Sequence, residues 1–301
     1  MVGVIPIFVL PYEIEDFART LNLLKRSSVF IDECFKLKVD ITLCLSEEMT
    51  DWDASELPKS YIQERVEELC SVYLDWCEYK LFVENDDKII GCLSHRRKSW
   101  EANPLADFFI WLDTDIFFND HTLSIMLNAF RTLRFSGFEQ FIVTPQIVRQ
   151  WDRSWDILVN KKFLQDELNY HLNADIFQNA LRQTDQTKIL QIPIFKFAGG
   201  WFSMISKKLL DEIGLPVSLG HYGPDDSFIM DCSMTLKNAG RNVHQFVLEN
   251  LVVGEIHKQQ TNKTIRKNLA SKNRKNEFRS IANSNFEIEF RKFIERKNIH
   301  Q

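Results

Sequence analysis

Four short stretches of the chain carry side chains that can do chemistry together. In Leu112-Asp113-Thr114-Asp115 two carboxylates stand one residue apart, directly after the apolar run Phe108-Phe109-Ile110-Trp111-Leu112. Oxygen ligands so spaced can chelate a hard divalent cation, Mn2+ or Mg2+, and such a cation can hold a diphosphate. The same acids also suit a turn and helix cap before Asn119-Asp120-His121. Phe197-Ala198-Gly199-Gly200-Trp201-Phe202-Ser203 sets paired glycines, which allow close backbone approach to a ligand, beside a Trp able to stack on a sugar ring. A tight turn over a core Trp fits that stretch equally well. Gly220-His221-Tyr222-Gly223-Pro224-Asp225-Asp226 fixes a loop and then opens a helix with two acids. Capping accounts for one acid, and mutual repulsion can keep a proton on the other at a pH suited to general base work. His257 follows Gly254-Glu255-Ile256 just past a strand, a residue type and a place suited to metal ligation.

The spacing of apolar residues supplies the frame. Val4–Leu10 predicts a strand, and Glu13–Arg26 a helix with Phe17, Leu21 and Leu24 on one face. Val39–Leu45 predicts a second strand, and Pro58 starts a helix through Val66, Leu69, Val72 and Tyr73. Lys80–Val83 and Ile89–Cys92 read as short strands around Asn85-Asp86-Asp87, and Phe108–Leu112 as the strand before the acidic pair. His121–Leu133 reads as a helix and Gln140–Thr144 as a strand stopped at Pro145. Residues 149–187 read as irregular, with Trp151 and Trp155 as a lid or a core plug. Then come a strand over Ile192–Phe197, helices over Lys207–Ile213 and Ser227–Asn238, the latter stopped by Gly240, and a last strand over His244–Val253. This β-α alternation predicts an α/β fold, a mostly parallel sheet flanked by helices. In such sheets ligands collect at the carboxyl ends of the strands, where the paired acids fall.

Composition narrows the class. Of 301 residues 45% are hydrophobic and 24 are Phe, enough for a sizeable core. No apolar run reaches the roughly 18–20 residues of a membrane span, and residues 2–10 read as a first strand, not a signal peptide. The six cysteines show no Cys-x-x-Cys spacing, which predicts reduced thiols and a cytoplasmic setting. The net charge of -5 hides an asymmetry: from Lys258 onward there are 12 Lys/Arg against 4 Asp/Glu, so the body before it carries -13. A basic tail on an acidic body suits an anionic partner, the body itself, or a solvated helix. Phe286, Phe290 and Ile294 predict that the tail holds a helix with one docking face.

Taken in order, the four motifs resemble those of the GT-A glycosyltransferases, particularly inverting β-1,4-galactosyltransferase-like and family 2-type enzymes. The resemblance covers residues 1–258, with 259–301 as a basic, partly helical C-terminal extension. It implies a GT-A (Rossmann-like) fold and transfer of a sugar from a nucleoside-diphosphate donor, UDP-sugar in the nearest reading, to a hydroxyl of a glycan acceptor with inversion. Asp113, Asp115 and His257 would hold Mn2+ or Mg2+. Pro11, Tyr12, Asp113, Gly199, Gly200 and Arg96 would bind the donor. Asp225, Trp201 and Tyr222 would meet the acceptor, and Asp226 would act as base. The chain departs from the family pattern where Asp225 replaces the usual Glu and Pro224 a glycine. No base-reading loop is evident after Leu10 or Leu45, so the nucleotide base stays open.

Other readings share parts of this pattern. The same transfer could act on a hydroxylated base of DNA, with Arg266, Lys267, Lys272, Arg274, Lys275 and the cluster His95-Arg96-Arg97-Lys98 on phosphates. A haloacid-dehalogenase-like phosphatase also begins from strand and Asp-x-Asp, with 225–231 as its late acidic motif. A non-catalytic sugar-nucleotide-binding module would keep the pocket without turnover.

Overall fold

The computed structural model describes residues 1–45, 57–85, 92–150, 187–194, 202–219, 225–256 and 272–298. The strands are β1 (Val2–Val9), β2 (Lys36–Cys44), β3 (Glu78–Glu84), β4 (Phe108–Leu112), β5 (Ile116–Phe117), β6 (Gln140–Gln150), β7 (Lys188–Ile192), β8 (Phe202–Ser206) and β9 (Val243–Ile256). The helices are α1 (Ile14–Ser28), α2 (Lys59–Tyr73), α3 (Cys92–Ala102), α4 (Thr122–Phe135), α5 (Lys207–Ile213), α6 (Asp225–Asn238) and α7 (Lys272–Lys297). They surround one sheet of order β3-β2-β1-β4-β8-β6-β9-β5, with β7 against β9. The expected α/β architecture, a central sheet with helices on both faces and a C-terminal helix, is the one observed.

The first four strands in that order are mutually parallel, and β8 then runs antiparallel between β4 and β6. Parallel strands are buried on both faces, so their side chains alternate between two cores. Ile5, Ile7 and Val9 of β1 and Phe108, Ile110 and Leu112 of β4 pack into one, with α1, α2 and α4. Val4, Phe109 and Trp111 point into the other, with α5, α6 and α7. At the start of β1, Gly3 lies in register with Phe108, whose ring occupies the space a Cβ would need.

The tail helix docks as its spacing requires. Phe293 is buried in the second core, and Phe286, Phe290 and Ile294 pack against it. Some tail charge meets the body directly: Lys297 pairs with Glu212 at 2.9 Å, and Arg296 donates to the Ile213 carbonyl. No helix among the described residues is long and apolar enough to cross a membrane.

Four local expectations are corrected. Cys92, read as the end of a strand, opens α3. β6 does not stop at Pro145 but continues to Gln150, so residues 149 and 150 are strand rather than irregular. It passes the proline through a register shift, because there the ladder with β9 is already interrupted. The strand expected over 192–197 is β7, which ends at Ile192, and β8 has no counterpart in the expectations. Trp151 and Trp155 lie outside the described residues.

Candidate active site

β1, β2, β3 and β4 run the same way, so their carboxyl ends share one edge of the sheet. Just past that edge come Pro11 in a single 3-10 turn (Pro11–Glu13), Leu45, and the paired acids Asp113 and Asp115. The acidic turn is held from two sides. Ile116 N–H donates to the Asp113 carbonyl at 3.3 Å, and the buried Thr20 hydroxyl of α1 donates to the Thr114 carbonyl at 2.9 Å. The backbone carrying the two carboxylates is thereby fixed by a helix outside the motif.

α3 lies across the same edge. Ser99 Oγ and Asn103 Nδ2 donate to the buried Asp40 of β2 at 2.6 and 2.7 Å, Lys98 pairs with the buried Glu84 at the end of β3, and His95 stacks on Phe8 with ring centroids 5.3 Å apart. Burial pushes the Asp40 carboxyl up, against the hydrogen bonds from Ser99 and Asn103. So anchored, α3 delivers Arg96 into the interior, where only 4% of its side chain is exposed.

A buried guanidinium stays charged and must be matched. Arg96 Nη1 donates to Asp225, the first residue of α6. Its Nη2 lies 3.3 Å from Asp113 Oδ1, and its guanidinium sits 4.2 Å from the centre of the Trp111 ring. Arg96 therefore joins the turn after β4 to the acidic pair at the start of α6, segments more than a hundred residues apart. Asp225 also meets the positive end of the α6 dipole. Beside it Asp226 is half-buried, and its Oδ1 accepts the Ser227 N–H at 2.7 Å.

Burial raises the Asp113 carboxyl well above the usual carboxylate range; Arg96 opposes the rise, and the negative charges of Asp115, Asp225 and Glu13 add to it. Yet 43% of the Asp113 side-chain surface is open. Both hold if Asp113 lies on the floor of a cleft, crowded by protein and acids below and open above. Asp115, Asp225 and Glu13 thus add negative charge around Asp113, oxygen-rich surroundings of the kind that suit a hard divalent cation. Among the described residues no three acid, histidine or cysteine side chains stand together as a metal site, so a cation on Asp113 and Asp115 would need a ligand from elsewhere. β9 pairs antiparallel with β5, Gly254 opposite Phe117 and Glu255 opposite Ile116, the residue after Asp115.

Of the residues expected at a site, the structure brings together Asp113, Arg96 and Asp225, with Asp115 and Asp226 as their chain neighbours. Pro11 and the backbone of Tyr12 lie at the same sheet edge. Gly199, Gly200, Trp201, Tyr222 and His257 lie outside the described residues. Sequence reasoning passed over Glu13, Thr20 and the aromatic face of Trp111. Glu13 had a readable signal, since it closes the short turn that follows β1.

No family model matches the chain, and no curated protein does. Among solved structures, GalNAc-T7 with UDP, GalNAc and Mn2+ is 16% identical, with a TM-score of 0.49 over 85% of this chain and 44% of that one. S. aureus TarS 1–349 in complex with UDP-GlcNAc is 12% identical, with a TM-score of 0.48 over 86% of this chain and 59% of that one. TarS 1–349 alone is 13% identical, with a TM-score of 0.43 over 82% and 59%. The chain thus spans about half the length of the solved chains it matches. No residue's role is taken from these likenesses.

Proposed function

We propose that this chain is a metal-dependent GT-A glycosyltransferase that moves a sugar from a nucleoside-diphosphate donor to a hydroxyl of a glycan, with inversion. The observation that carries the proposal is the Arg96 contact: one buried cation ties an Asp-x-Asp turn at the carboxyl edge of the sheet to an acidic pair at a helix start. A transferase needs these two elements side by side, the first for the leaving diphosphate and the second for the attacking hydroxyl.

In this reading Asp113, Asp115 and His257 hold Mn2+ or Mg2+, which supplies Lewis-acid stabilisation of the leaving diphosphate. Arg96 lends positive charge to the donor side, and Pro11 and Tyr12 flank the donor. Gly199 and Gly200 let the backbone approach the donor, and Trp201 and Tyr222 form the acceptor wall. Asp226, half-buried at the start of α6, takes the proton of the acceptor hydroxyl. Asp225 was expected at the acceptor, but its carboxylate is buried against Arg96, and we assign it to holding that guanidinium. The acceptor in this reading is a glycan.

The test is a panel of nucleotide-sugars with and without Mn2+, read by released nucleotide and by product. Asp226→Asn should still bind donor but lose transfer by about 10²–10⁴-fold, the usual worth of general base help. Full turnover in excess EDTA, or near-normal transfer by Asp226→Asn, would overturn the assignment.

A further inference from the structure

The seam between the tail helix and the body forms an open hollow of about 450 Å³, within the size range of small-molecule sites. Three cations line it: Arg97 from α3, and Lys292 and Arg296 from α7. Among the described residues that line it the acid is Glu289, which already accepts from Lys292 Nζ and Ser218 Oγ, each at 2.9 Å. Arg97 Nε also donates to Glu101 at 2.8 Å, so three cations meet two acids and the hollow keeps a single positive charge in excess.

The two guanidiniums are held rather than loose. Arg97 Nη1 donates to the Leu215 carbonyl at 2.8 Å, and Arg296 donates to the Ile213 carbonyl. They grip the same short loop on either side of Gly214, which takes φ +82°. A β-carbon there would come within 3.5 Å of the Arg296 guanidinium. A guanidinium has five N–H groups, more than these bonds use. Two fixed forks and a nearby ammonium match a tetrahedral dianion better than a lone carboxylate. Trp100 offers flat apolar surface beside the charges.

We propose that this seam is a second binding site, for a small organic phosphate, separate from the cleft at Asp113. Its walls include α3 one residue after Arg96 and α6 one turn after Asp225, so an occupant touches both helices that meet at the candidate active site. The proposal does not depend on the transferase reading.

Calorimetric titration of the full chain in EDTA tests it, with uridine 5′-monophosphate and inorganic phosphate as probes. EDTA removes the cation that a diphosphate at Asp113 and Asp115 would need. The expected result is one saturable site that Asp115→Asn leaves unchanged and that Lys292→Gln and Arg97→Gln each weaken tenfold or more. Lys292 is 63% exposed, so its substitution tests the site even if Arg97→Gln loosens α3. Melting curves of the variants separate the two effects. Absence of saturable binding by both probes, or binding that survives Lys292→Gln in a folded protein, overturns the proposal.

Discussion

Asp32 and Asp113 each face an arginine, and their carboxyls move in opposite directions. Asp32, in the turn before β2, accepts the Cys34 N–H at 2.9 Å and pairs with Arg131 at 3.0 Å. The backbone hydrogen bond from Cys34 is the largest cause pulling its carboxyl down to about 2, with the Cys34 and Arg131 side chains adding to it. Asp113 rises instead, because burial outweighs Arg96 and three further acids stand near it. Exposed area does not separate the two, at 49% for Asp32 and 43% for Asp113. What separates them is the amount of protein and the sign of charge around each. An Arg–Asp contact on the surface finishes a turn. At the carboxyl edge of the sheet it holds charge that the surroundings disfavour, and such tension marks places where charge is used.

The largest contrast should come from removing the cations. Arg96→Met strands the buried Asp225 and leaves Asp113 without its cation, and breaking a buried pair costs about 3–5 kcal/mol, readable by urea unfolding. Arg131→Met should leave the urea midpoint unchanged, as surface pairs contribute little. Equal losses from the two would erase the distinction.

A smaller effect should appear in the pH dependence of Asp113→Asn. Because the native value is raised, the unfolded chain releases this proton first as pH climbs, and wild type loses stability through that range. The Asn variant avoids the loss, while Asp225 keeps Arg96 paired. It should therefore have the higher urea midpoint at pH 8, with the gain vanishing below about pH 4, where both states of the wild-type carboxyl are protonated. A variant less stable than wild type at pH 8 would show that Arg96 outweighs burial.

The smallest effect, of opposite sign, belongs to Asp32→Asn. The native value lies below the ordinary 3.8, so the stabilisation is present above that pH and fades as pH falls towards about 2. The variant should be slightly less stable at neutral pH, with the gap narrowing as pH falls below 3.8 and closing only below about 2. A gap that does not narrow with falling pH would point to lost packing rather than lost charge.

Sequence reasoning reached β4, α5 and the end of α6 because each carries an ordinary signal: an unbroken apolar run, a short helical period, and Gly240 at φ +81° after the last turn. It missed α3 for a physical reason. The described buried face of that helix is made of His95, Arg96 and Ser99, so the apolar spacing that reveals a helix is absent. That stretch read only as a basic cluster, although it carries the residue that joins the two acidic motifs. β8 was lost because its five buried residues include Ser203 and Ser206, which hide the strand among loop-like neighbours. At the site, the acids were legible as residue types. Their convergence on Arg96 was not, since nothing local announces a contact across 129 positions.

β9 keeps step with β6 from Val243 to Leu248, slips beside Pro145, and resumes at Val252, with Asn250 at φ +65° in between. The slip divides one strand into two segments with independent phase. Up-or-down parity after the slip need not follow parity before it. The loss or gain of a single amino acid at Asn250 is therefore taken up in the joint, while both halves keep their partners on β6. The strand can change length here with neither half repacked, and its end beside β5 keeps its aim.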